Sequence, residues 1–380
     1  MDCYARRLKK IPPYFFAELD CLKQSADCRG QLIDFSEGDP DLPTPKPIVR
    51  AMMRALPNPD YHRYPTYQGM LSARIAVARW YKKRFGVKLD PEKEVCMLLG
   101  AKEGVAHLIW GMVGRDDKIA VPDPGFPMYY NQALLSGAQP VIMPLLEEND
   151  FLPDLALLRN QKIKLVCLNY PNNPTAAVAP IGFYRNLINQ AQKQGFYLYN
   201  DNVYSEIYFD TPPKSILQVD GAKEYCIEFH SLSKTFNMAG WRIGFAVGNA
   251  KLISALLKIK QNTDSGPFSA IQETAIYALD RAEKFTKPIR TVYKKRIDLL
   301  VNGLNELGWK IKKPKATFFV WAKVNDMDSM ALAKKLLVQN KIMVAPGAGF
   351  GKYGEGYIRF ALVVPENKIK QALKRLSQWH

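Results

Sequence analysis

The sequence lacks the spacings by which cysteine and histidine usually build metal sites and disulfide frameworks. Its six cysteines form no CxxC pair, and its four histidines form no HxxxH or HExxH motif. Such spacings are typical of structural zinc, metalloprotease and redox sites. We therefore expect no metal and no disulfide, and we interpret the thiols as small apolar side chains in a reducing compartment. The cysteines are Cys3, Cys21, Cys28, Cys96, Cys167 and Cys226.

Long apolar runs are also absent. No stretch approaches the ~18 consecutive apolar residues that indicate a membrane-spanning helix. The amino-terminal residues MDCYARRLKKIPPYFF are basic, but they are not followed by the apolar stretch of about 7 to 15 residues found in a signal peptide. We expect a cytoplasmic protein with no membrane partner.

Negative charge is scarce relative to positive charge. There are 53 lysines and arginines against 36 acidic residues, which gives a net charge of +17. Such an excess can indicate a nucleic-acid partner. However, the clusters at 82–84, 294–296 and 310–315 lie within or beside amphipathic stretches, which is typical of a solvated face. Because no helix-turn-helix, RRM or zinc-finger pattern accompanies the charge, we expect no nucleic-acid partner.

Short apolar runs fill the middle of the chain, from about Asp90 to Asn249. Longer helical patterns separate them; Phe183, Leu187 and Ala191, for example, recur at helical spacing before Gly195. Apolar runs that alternate with helices predict an α/β fold, with a mostly parallel sheet covered by helices. The runs are VCMLLG, KIAVP, PVIMPL, KLVCLNY, FYLYND, YCIEFHS and IGFAVGN.

The two ends of the chain have a different character. After about Lys287 the pattern becomes a basic helix, the run ATFFVWAKV, a second helix, the glycine-rich loop APGAGFGKYGEG, the run YIRFALVV and a closing helix. We predict a large domain at residues 41–286 and a smaller α+β domain at 287–380. The proline-rich residues 1–40 do not join the alternating pattern, so we expect them to pack with the smaller domain.

Unusual polar residues stand at the ends of four of the runs. Asp201 ends FYLYND, Asn173 follows KLVCLNY, Lys234 follows YCIEFHS, and GAKEG overlaps the end of VCMLLG. The carboxyl ends of parallel strands lie at one edge of a sheet, where ligands bind in such folds. Together these segments supply an amine, a carboxylate, a phenol, an amide and a phosphate cradle. That set suits a phosphorylated, electron-withdrawing pyridine aldehyde.

Each group has a role in such a site. Lys234 would form a Schiff base with the aldehyde and would later move a proton at the substrate Cα. Asp201 would keep the ring nitrogen protonated, while Tyr204 and Asn173 would donate hydrogen bonds to the ring oxygen. Gly100, Ala101 and Lys102 open a helix whose backbone N–H groups would face the phosphate. The remaining phosphate ligands that we expect are Ser231, Ser233 and Arg242.

Each of these residues also has an ordinary explanation when it is considered alone. Lys234 can be a surface lysine, Asp201 a helix N-cap, Asn173 a turn residue and Arg242 half of a surface ion pair. Their joint occurrence at the ends of predicted parallel strands favours the functional interpretation.

The motifs resemble those of the fold-type I pyridoxal-phosphate aminotransferases over nearly the whole chain. The resemblance implies a pyridoxal 5'-phosphate cofactor, amino-acid and 2-oxo-acid substrates, and a homodimer with shared active sites. Ala176 replaces the glycine that usually follows NPT in this family. The motifs are SLSKTFNMAGWRIGF, NYPNNPT, DNVY, GAKEG, PDPGFPMY, HRYPTYQG and YIRFAL.

The resemblance also implies roles for residues outside the strand ends. Phe126 would stack on the cofactor ring, and Tyr64 would reach the phosphate of the neighbouring subunit. Arg359 would bind the substrate α-carboxylate, with Gly38 and Asn173 also at the substrate. Phe126 is otherwise a core residue and Arg359 a strand-end ion pair, although an unpaired arginine in the apolar run YIRFALVV would be costly.

Within the family, the segments IPPYFFAELD, GDPDLPTP and KPKATFFVWAKV are most similar to the LL-diaminopimelate aminotransferase group, which uses glutamate as amino donor. Three alternatives stay open: an alanine or aspartate aminotransferase, a β-elimination lyase on the same fold, and a basic regulatory protein with an aminotransferase-like body. Tyr67 stands where the plant-type branch has an acid for the distal ammonium. Glu103 is a candidate substitute, although it also fits an ordinary acid in the first turn of a helix.

Overall fold

The computed structural model describes residues 3–25, 30–324 and 327–378. The strands are β1 Ile33–Asp34, β2 Val95–Leu98, β3 Lys118–Asp123, β4 Gln139–Pro144, β5 Ile163–Leu168, β6 Tyr197–Asp201, β7 Cys226–Ser231, β8 Gly244–Gly248, β9 Phe319–Lys323, β10 Ile342–Met343, β11 Ala345–Pro346 and β12 Tyr357–Ala361. The helices are α1 Phe15–Ser25, α2 Lys46–Ala55, α3 Leu71–Phe85, α4 Ala101–Met112, α5 Met128–Ser136, α6 Ile181–Gln194, α7 Leu232–Thr235, α8 Ala250–Thr263, α9 Ser269–Asp280, α10 Ala282–Glu306, α11 Ser329–Lys335 and α12 Glu366–Leu376.

A seven-stranded sheet forms the centre of the molecule, in the order β2-β8-β7-β6-β5-β3-β4. All seven predicted apolar runs form its strands. Strands β3 to β7 pair in parallel, whereas β8 is antiparallel to both of its neighbours, β2 and β7. The predicted α/β fold with a mostly parallel sheet is therefore confirmed.

Helices cover both faces of this sheet. In β2, Val95 and Met97 pack into the apolar core that includes residues of α3, α6 and α9. The alternate residues Cys96 and Leu98 pack into a second core with α4, α5 and α8. Because both faces are buried, the strands are continuous apolar runs without polar alternation.

Helix α6 shows how local sequence sets the bounds of an element. It begins after Pro180 and ends at Gly195, which adopts a left-handed conformation with φ 77°. Glycine is favoured there because it has no Cβ to clash. Leu187 and Ala191 of the predicted stripe are buried, and Phe183 is packed at the edge of the core.

The smaller part of the molecule contains the antiparallel sheet β11-β12-β9. The amino-terminal strand β1 pairs in parallel with β10, so the first segment is attached to the carboxyl-terminal part. The division into residues 1–40, 41–286 and 287–380 stays a prediction. Its second boundary falls inside the continuous helix α10, one residue before Pro288.

The structure bears on two further expectations, one about membrane-spanning helices and one about the cysteines. Among the described ranges, no helix is both long enough and apolar enough to cross a membrane. Cys3, Cys21, Cys96, Cys167 and Cys226 are free thiols, of which the last three are buried. Cys28 lies outside the described residues.

Candidate active site

A cavity of about 590 Å³ lies at the carboxyl ends of the parallel strands. The segments that follow β5, β6 and β7 form one wall, and the first turn of α4 forms another. Residues 37–39 and strand β12 of the smaller part complete it. The predicted site residues that line this cavity are Gly38, Ala101, Lys102, Phe126, Asn173, Asp201, Tyr204, Ser231, Ser233, Lys234, Arg242 and Arg359.

Lys234 lies on the short helix α7, directly after β7. The Ser231 side chain caps this helix by accepting the backbone N–H of Ser233. The Nζ atom of Lys234 donates a hydrogen bond to the carbonyl oxygen of Gly38 at 2.6 Å. Burial lowers the pKa of Lys234 to about 8, although the Asp39 carboxylate opposes this shift. A lowered pKa makes the neutral, nucleophilic amine more accessible near neutral pH.

Asp201 ends β6 and is 8% exposed. Its Oδ2 atom accepts a hydrogen bond from the Tyr129 hydroxyl at 2.7 Å. Burial raises the pKa of Asp201 to about 6, although the hydrogen bond from Tyr129 and the nearby Val203 N–H lower it in part. The buried Oδ1 atom has no hydrogen bond of standard geometry from the described residues. Asp201 therefore presents an acceptor that lacks a donor.

Tyr204 and Asn173 line the same cavity as Asp201. Tyr204 is buried with its ring edge-on to Phe318 and Phe319. Burial raises the pKa of Tyr204, so its hydroxyl is a neutral donor at physiological pH. Asn173 is held by the Asn169 Oδ1 atom, which accepts the Asn173 backbone N–H at 2.8 Å.

The first turn of α4 and Arg242 form the predicted phosphate cradle. Gly100 precedes the helix with φ 102°, and an added Cβ would lie 2.7 Å from Nη2 of Arg242. Glycine is favoured there because this φ strains other residues and because the guanidinium approaches the turn closely. The hydroxyls of Ser231 and Ser233 belong to the same wall of the cavity. A helix amino terminus, hydroxyl groups and an arginine form a donor set suited to a phosphate dianion.

Arg359 lies on β12 and is 1% exposed. Its Nη1 and Nη2 atoms donate to Asn173 Oδ1 at 2.6 Å and to the carbonyl of Ser36 at 2.5 Å. Its guanidinium also stacks against Phe319 and Phe350. Burial lowers the pKa of Arg359 to about 10. The two oxygen atoms that accept its hydrogen bonds, from Asn173 and Ser36, are uncharged, so an acidic ligand would supply a charged partner.

Comparison with known proteins identifies the family. The family model of aminotransferase class I and II matches residues 30–376. The chain belongs to this family. It is 48% identical over 379 residues to the LL-diaminopimelate aminotransferase of Halothermothrix orenii, covering 98% of this chain and 97% of that protein. It is 46% identical over 380 residues to the enzyme of the same name from Aquifex aeolicus, covering 98% of each. Substrate-bound BacF from Bacillus subtilis matches with TM-score 0.95 and 36% identity, over 100% of this chain and 98% of that chain.

The protein is thus a pyridoxal-phosphate-dependent enzyme of the transaminase type, and the predicted family and cofactor are confirmed. The residues of this aminotransferase fit the cofactor. The unpaired Oδ1 of Asp201 suits a protonated ring nitrogen, the α4 turn with Arg242 suits the phosphate, and Lys234 offers the amine for the aldehyde. The role of each individual residue stays a prediction.

Four residues that the sequence analysis considered are not among those that line the cavity. Gly100 lies directly before the first turn of α4, whose residues Ala101 and Lys102 do line it. Tyr64 is 94% exposed, and Tyr67 is 46% exposed on the same segment. Glu103 turns away from the cavity, because it accepts the Leu99 N–H and lies 2.7 Å from His107. The structure therefore does not support Glu103 as a ligand for a distal ammonium.

Ala176, at the position where the family usually has glycine, lies in a tight turn after Asn173. Ala176 adopts φ 61°, in the left-handed region, and its N–H donates to the carbonyl of Asn172 at 3.0 Å. The alanine methyl is buried.

Sequence reasoning missed several residues of the site. Tyr129 holds Asp201, and Asn169 connects the carbonyl of Asp201 to the backbone of Asn173. Asn169 stands at a strand end and Tyr129 is the last residue of the motif PDPGFPMY, so each had a usable signal in the sequence. The other cavity residues that were not predicted include Tyr14, Phe16, Glu37, Asp39 and Phe319.

Proposed function

We propose that this aminotransferase is an LL-diaminopimelate aminotransferase of lysine biosynthesis, which acts as a cytoplasmic homodimer. It would move an amino group between the glutamate and 2-oxoglutarate pair and LL-diaminopimelate or its cyclic keto form. The observation that carries this proposal is the 44–48% identity, over nearly the whole chain, to relatives that have this name.

The proposed roles at the cofactor follow from the donors and acceptors in the cavity. Pyridoxal phosphate, when bound, supplies an electron-withdrawing ring that stabilises negative charge at the substrate Cα. Asp201 accepts the ring N–H, and this contact with a cationic group offsets the cost of its burial. Tyr204 and Asn173 donate to the ring oxygen. The first turn of α4, the hydroxyls of Ser231 and Ser233, and Arg242 hold the phosphate.

The proposed roles at the substrate belong to Lys234 and Arg359. The neutral Nζ of Lys234 takes the proton from the substrate Cα, and a pKa lowered to about 8 makes this neutral form more available at neutral pH than it is in an ordinary lysine. Arg359 binds the α-carboxylate through its planar guanidinium. Phe126 packs beside the cofactor ring. Phe126 and Phe319 exclude water from the part of the cavity around that ring.

The cavity also contains charged side chains suited to the far end of a long substrate that carries a carboxylate and an ammonium there. Lys102 lines it, with Nζ 3.4 Å from the Tyr14 hydroxyl, and suits a distal carboxylate. Asp39 lines it as well and suits a distal ammonium, whereas the Oε1 atom of Glu37 already pairs with Nζ of Lys23 at 2.5 Å. Asp39 supports recognition of LL-diaminopimelate even though Tyr67 replaces the acid of the plant-type branch.

The proposed homodimer is supported by an exposed face. Tyr64 is 94% exposed and lies outside its own chain's cavity, which fits a side chain that reaches the partner's phosphate. Helices α2 and α3 flank it with further exposed apolar side chains, as expected for a subunit interface. They are Val49, Met53, Leu56, Leu71 and Ile75.

The proposed cytoplasmic location is supported by the cysteines. The described cysteines are free thiols, and Cys96, Cys167 and Cys226 are buried in the core. Disulfides are rare in reducing compartments, where buried thiols act as small apolar groups.

Substrate preference tests this proposal. With 2-oxoglutarate as acceptor, we expect kcat/KM for LL-diaminopimelate to exceed the values for alanine and aspartate by about 100-fold or more. Smaller substrates leave the polar groups that bind the distal end of LL-diaminopimelate without a partner, which weakens their transition state. A ratio below one would assign the enzyme to alanine or aspartate. Glutamate should convert the bound cofactor to its amine form; release of ammonia instead would indicate a lyase.

A further inference from the structure

A partly buried cluster of charged side chains lies behind the first turn of α4, outside the cavity. Oε1 of Glu103 lies 2.7 Å from Nδ1 of His107 and 3.1 Å from Nζ of Lys260. Lys260 also lies 2.7 Å from Oδ1 of Asp264 and donates to the carbonyl of Ser265 at 2.9 Å. The Lys260 side chain is 0% exposed. Its charge is therefore offset by these oxygen atoms and not by water.

The spacing of this cluster resembles that of a metal site, but a cation is already part of it. Ligand atoms of Glu103, His107 and Asp264 lie within 4.8 Å of one another. The ammonium of Lys260 contacts both carboxylates directly. A role in positioning the adjoining backbone explains the cluster better than a role in binding an ion.

Glu103 connects this cluster to the phosphate cradle. Its second oxygen, Oε2, accepts the backbone N–H of Leu99 at 2.9 Å. Leu99 immediately precedes Gly100 and Ala101, the start of the turn proposed to hold the phosphate. The contact between Gly100 and Arg242 is already close, so a small shift of this turn would change both the amide donors and the arginine.

The charge of Glu103 has to be offset because a phosphate dianion binds at the same turn. Burial alone would raise the pKa of Glu103, but the hydrogen bond from His107 and the charge of Lys260 outweigh it and hold the pKa below its ordinary value. The carboxylate is thus ionised at neutral pH. Without Lys260, it would repel the phosphate through a poorly screened part of the protein.

We propose that Glu103 is a positioning residue for the cofactor phosphate and that Lys260 makes its negative charge compatible with that phosphate. Glu103 fixes the backbone at Leu99, and Lys260 and His107 hold the Glu103 carboxylate in place. The inference rests on the proposed phosphate site at α4 and Arg242. It does not depend on the identity of the amino-acid substrate.

Binding of pyridoxal phosphate to the apoenzyme tests the charge argument. Lys260→Met should raise the cofactor dissociation constant by about tenfold, as expected when one of two coupled charges is removed. It should also shift the phosphorus-31 resonance of the bound cofactor. The double variant Lys260→Met, Glu103→Gln should recover most of the affinity, because glutamine keeps the bond to Leu99 without the charge. An unchanged constant and resonance in Lys260→Met, or no recovery in the double variant, would overturn the proposal.

A second pair of variants tests the backbone contact without burying an unpaired charge. Glu103→Ala should weaken cofactor binding, and Glu103→Gln should restore much of it because its amide oxygen can still accept from Leu99. Equal effects of the two substitutions would contradict the positioning role.

Two controls separate this role from general stability and from the site assignment itself. Lys223→Met removes an ion pair in which Nζ of Lys223 lies 2.8 Å from Oε2 of Glu94. Glu94 lies next to the amino end of β2, away from the cofactor site, so this variant should not change the cofactor dissociation constant. Arg242→Met should weaken cofactor binding strongly. If it does not, the proposed phosphate site is wrong, independently of Glu103. Substrate preference is measured separately and does not bear on either result.

Discussion

Nη1 of Arg359 donates a hydrogen bond to Oδ1 of Asn173 at 2.6 Å, and both side chains are buried. This bond connects the residue proposed to bind the substrate carboxylate with a residue proposed to bind the cofactor ring. Nη2 of Arg359 is fixed in turn by the carbonyl of Ser36. Because the guanidinium is already oriented, little ordering is left for substrate binding to impose.

Arg359→Lys should weaken the amino donor and its partner substrate alike. A lysine ammonium lacks the planar, two-pronged geometry that pairs with a carboxylate and with Asn173. The loss in kcat/KM should correspond to about 1.5–3 kcal/mol, the range of hydrogen bonds to charged groups. Arg375→Lys is the matched control, since Arg375 contacts backbone carbonyls away from the cavity. A loss confined to one of the two substrates would contradict a shared α-carboxylate site.

Asp201→Asn should stabilise the apoenzyme at pH 7 while lowering kcat. Burial raises the pKa of Asp201 from 3.8 to about 6, so the folded state binds a proton more tightly than the unfolded state. The stability of the wild-type apoenzyme should therefore fall as pH rises from about 4 to 6, by up to ~3 kcal/mol at 1.36 kcal/mol per pKa unit. The variant should lack this fall. Urea unfolding of both apoenzymes between pH 4 and 7 measures this pH dependence of the free energy of unfolding. A variant that is less stable than the wild type at pH 7 would contradict the claim that the buried Asp201 carboxylate destabilises the apoenzyme.

Gly100→Ala should weaken cofactor binding and lower stability. The backbone there has φ 102°, and the new Cβ would lie 2.7 Å from the Arg242 guanidinium. A strained conformation of this kind costs about 1–3 kcal/mol. Gly182→Ala, on helix α6 with open space around the new methyl, should be neutral or stabilising. Thermal unfolding and cofactor titration of both variants decide the matter; equal behaviour would contradict the close approach at Gly100.

Mixed dimers should reveal whether active sites are shared. If Tyr64 serves the partner's phosphate, a dimer of one Tyr64→Phe chain and one Lys234→Ala chain contains one site with both native residues. Activity should then exceed that of either variant alone after the subunits are mixed and re-formed. Absence of any recovery, with mixed dimers verified by mass spectrometry, would place Tyr64 outside the partner's site.

The sequence predicts the large sheet and much of the site for a single physical reason. Strands buried on both faces are uninterrupted apolar runs, and the carboxyl ends of parallel strands meet at one edge. These two facts predict from the sequence alone that Lys234, Asp201 and Asn173 lie close together. The cavity contains all three.

Other features depend on contacts that periodicity does not encode. The antiparallel direction of β8 is set by its neighbours β2 and β7, because a buried apolar run has the same pattern in either direction. The bond from Tyr129 to Asp201 joins α5 to β6 and has no local signature. The proposed role of Tyr64 requires a second chain, which periodicity within one chain does not encode. The orientation of Glu103 toward His107 and Lys260 follows from the packing of α4 on α8, which the sequence of α4 alone does not specify.

The attachment point of the cofactor tests the central claim most directly. Borohydride reduction of the holoenzyme, followed by peptide mapping, should place pyridoxal phosphate on Lys234, because burial lowers its pKa and it lines the same cavity as Asp201. Lys102 is the internal alternative, since it lines the same cavity. A single labelled peptide that contains Lys234 is the predicted result, whereas label on Lys102 or on any other lysine would contradict the account.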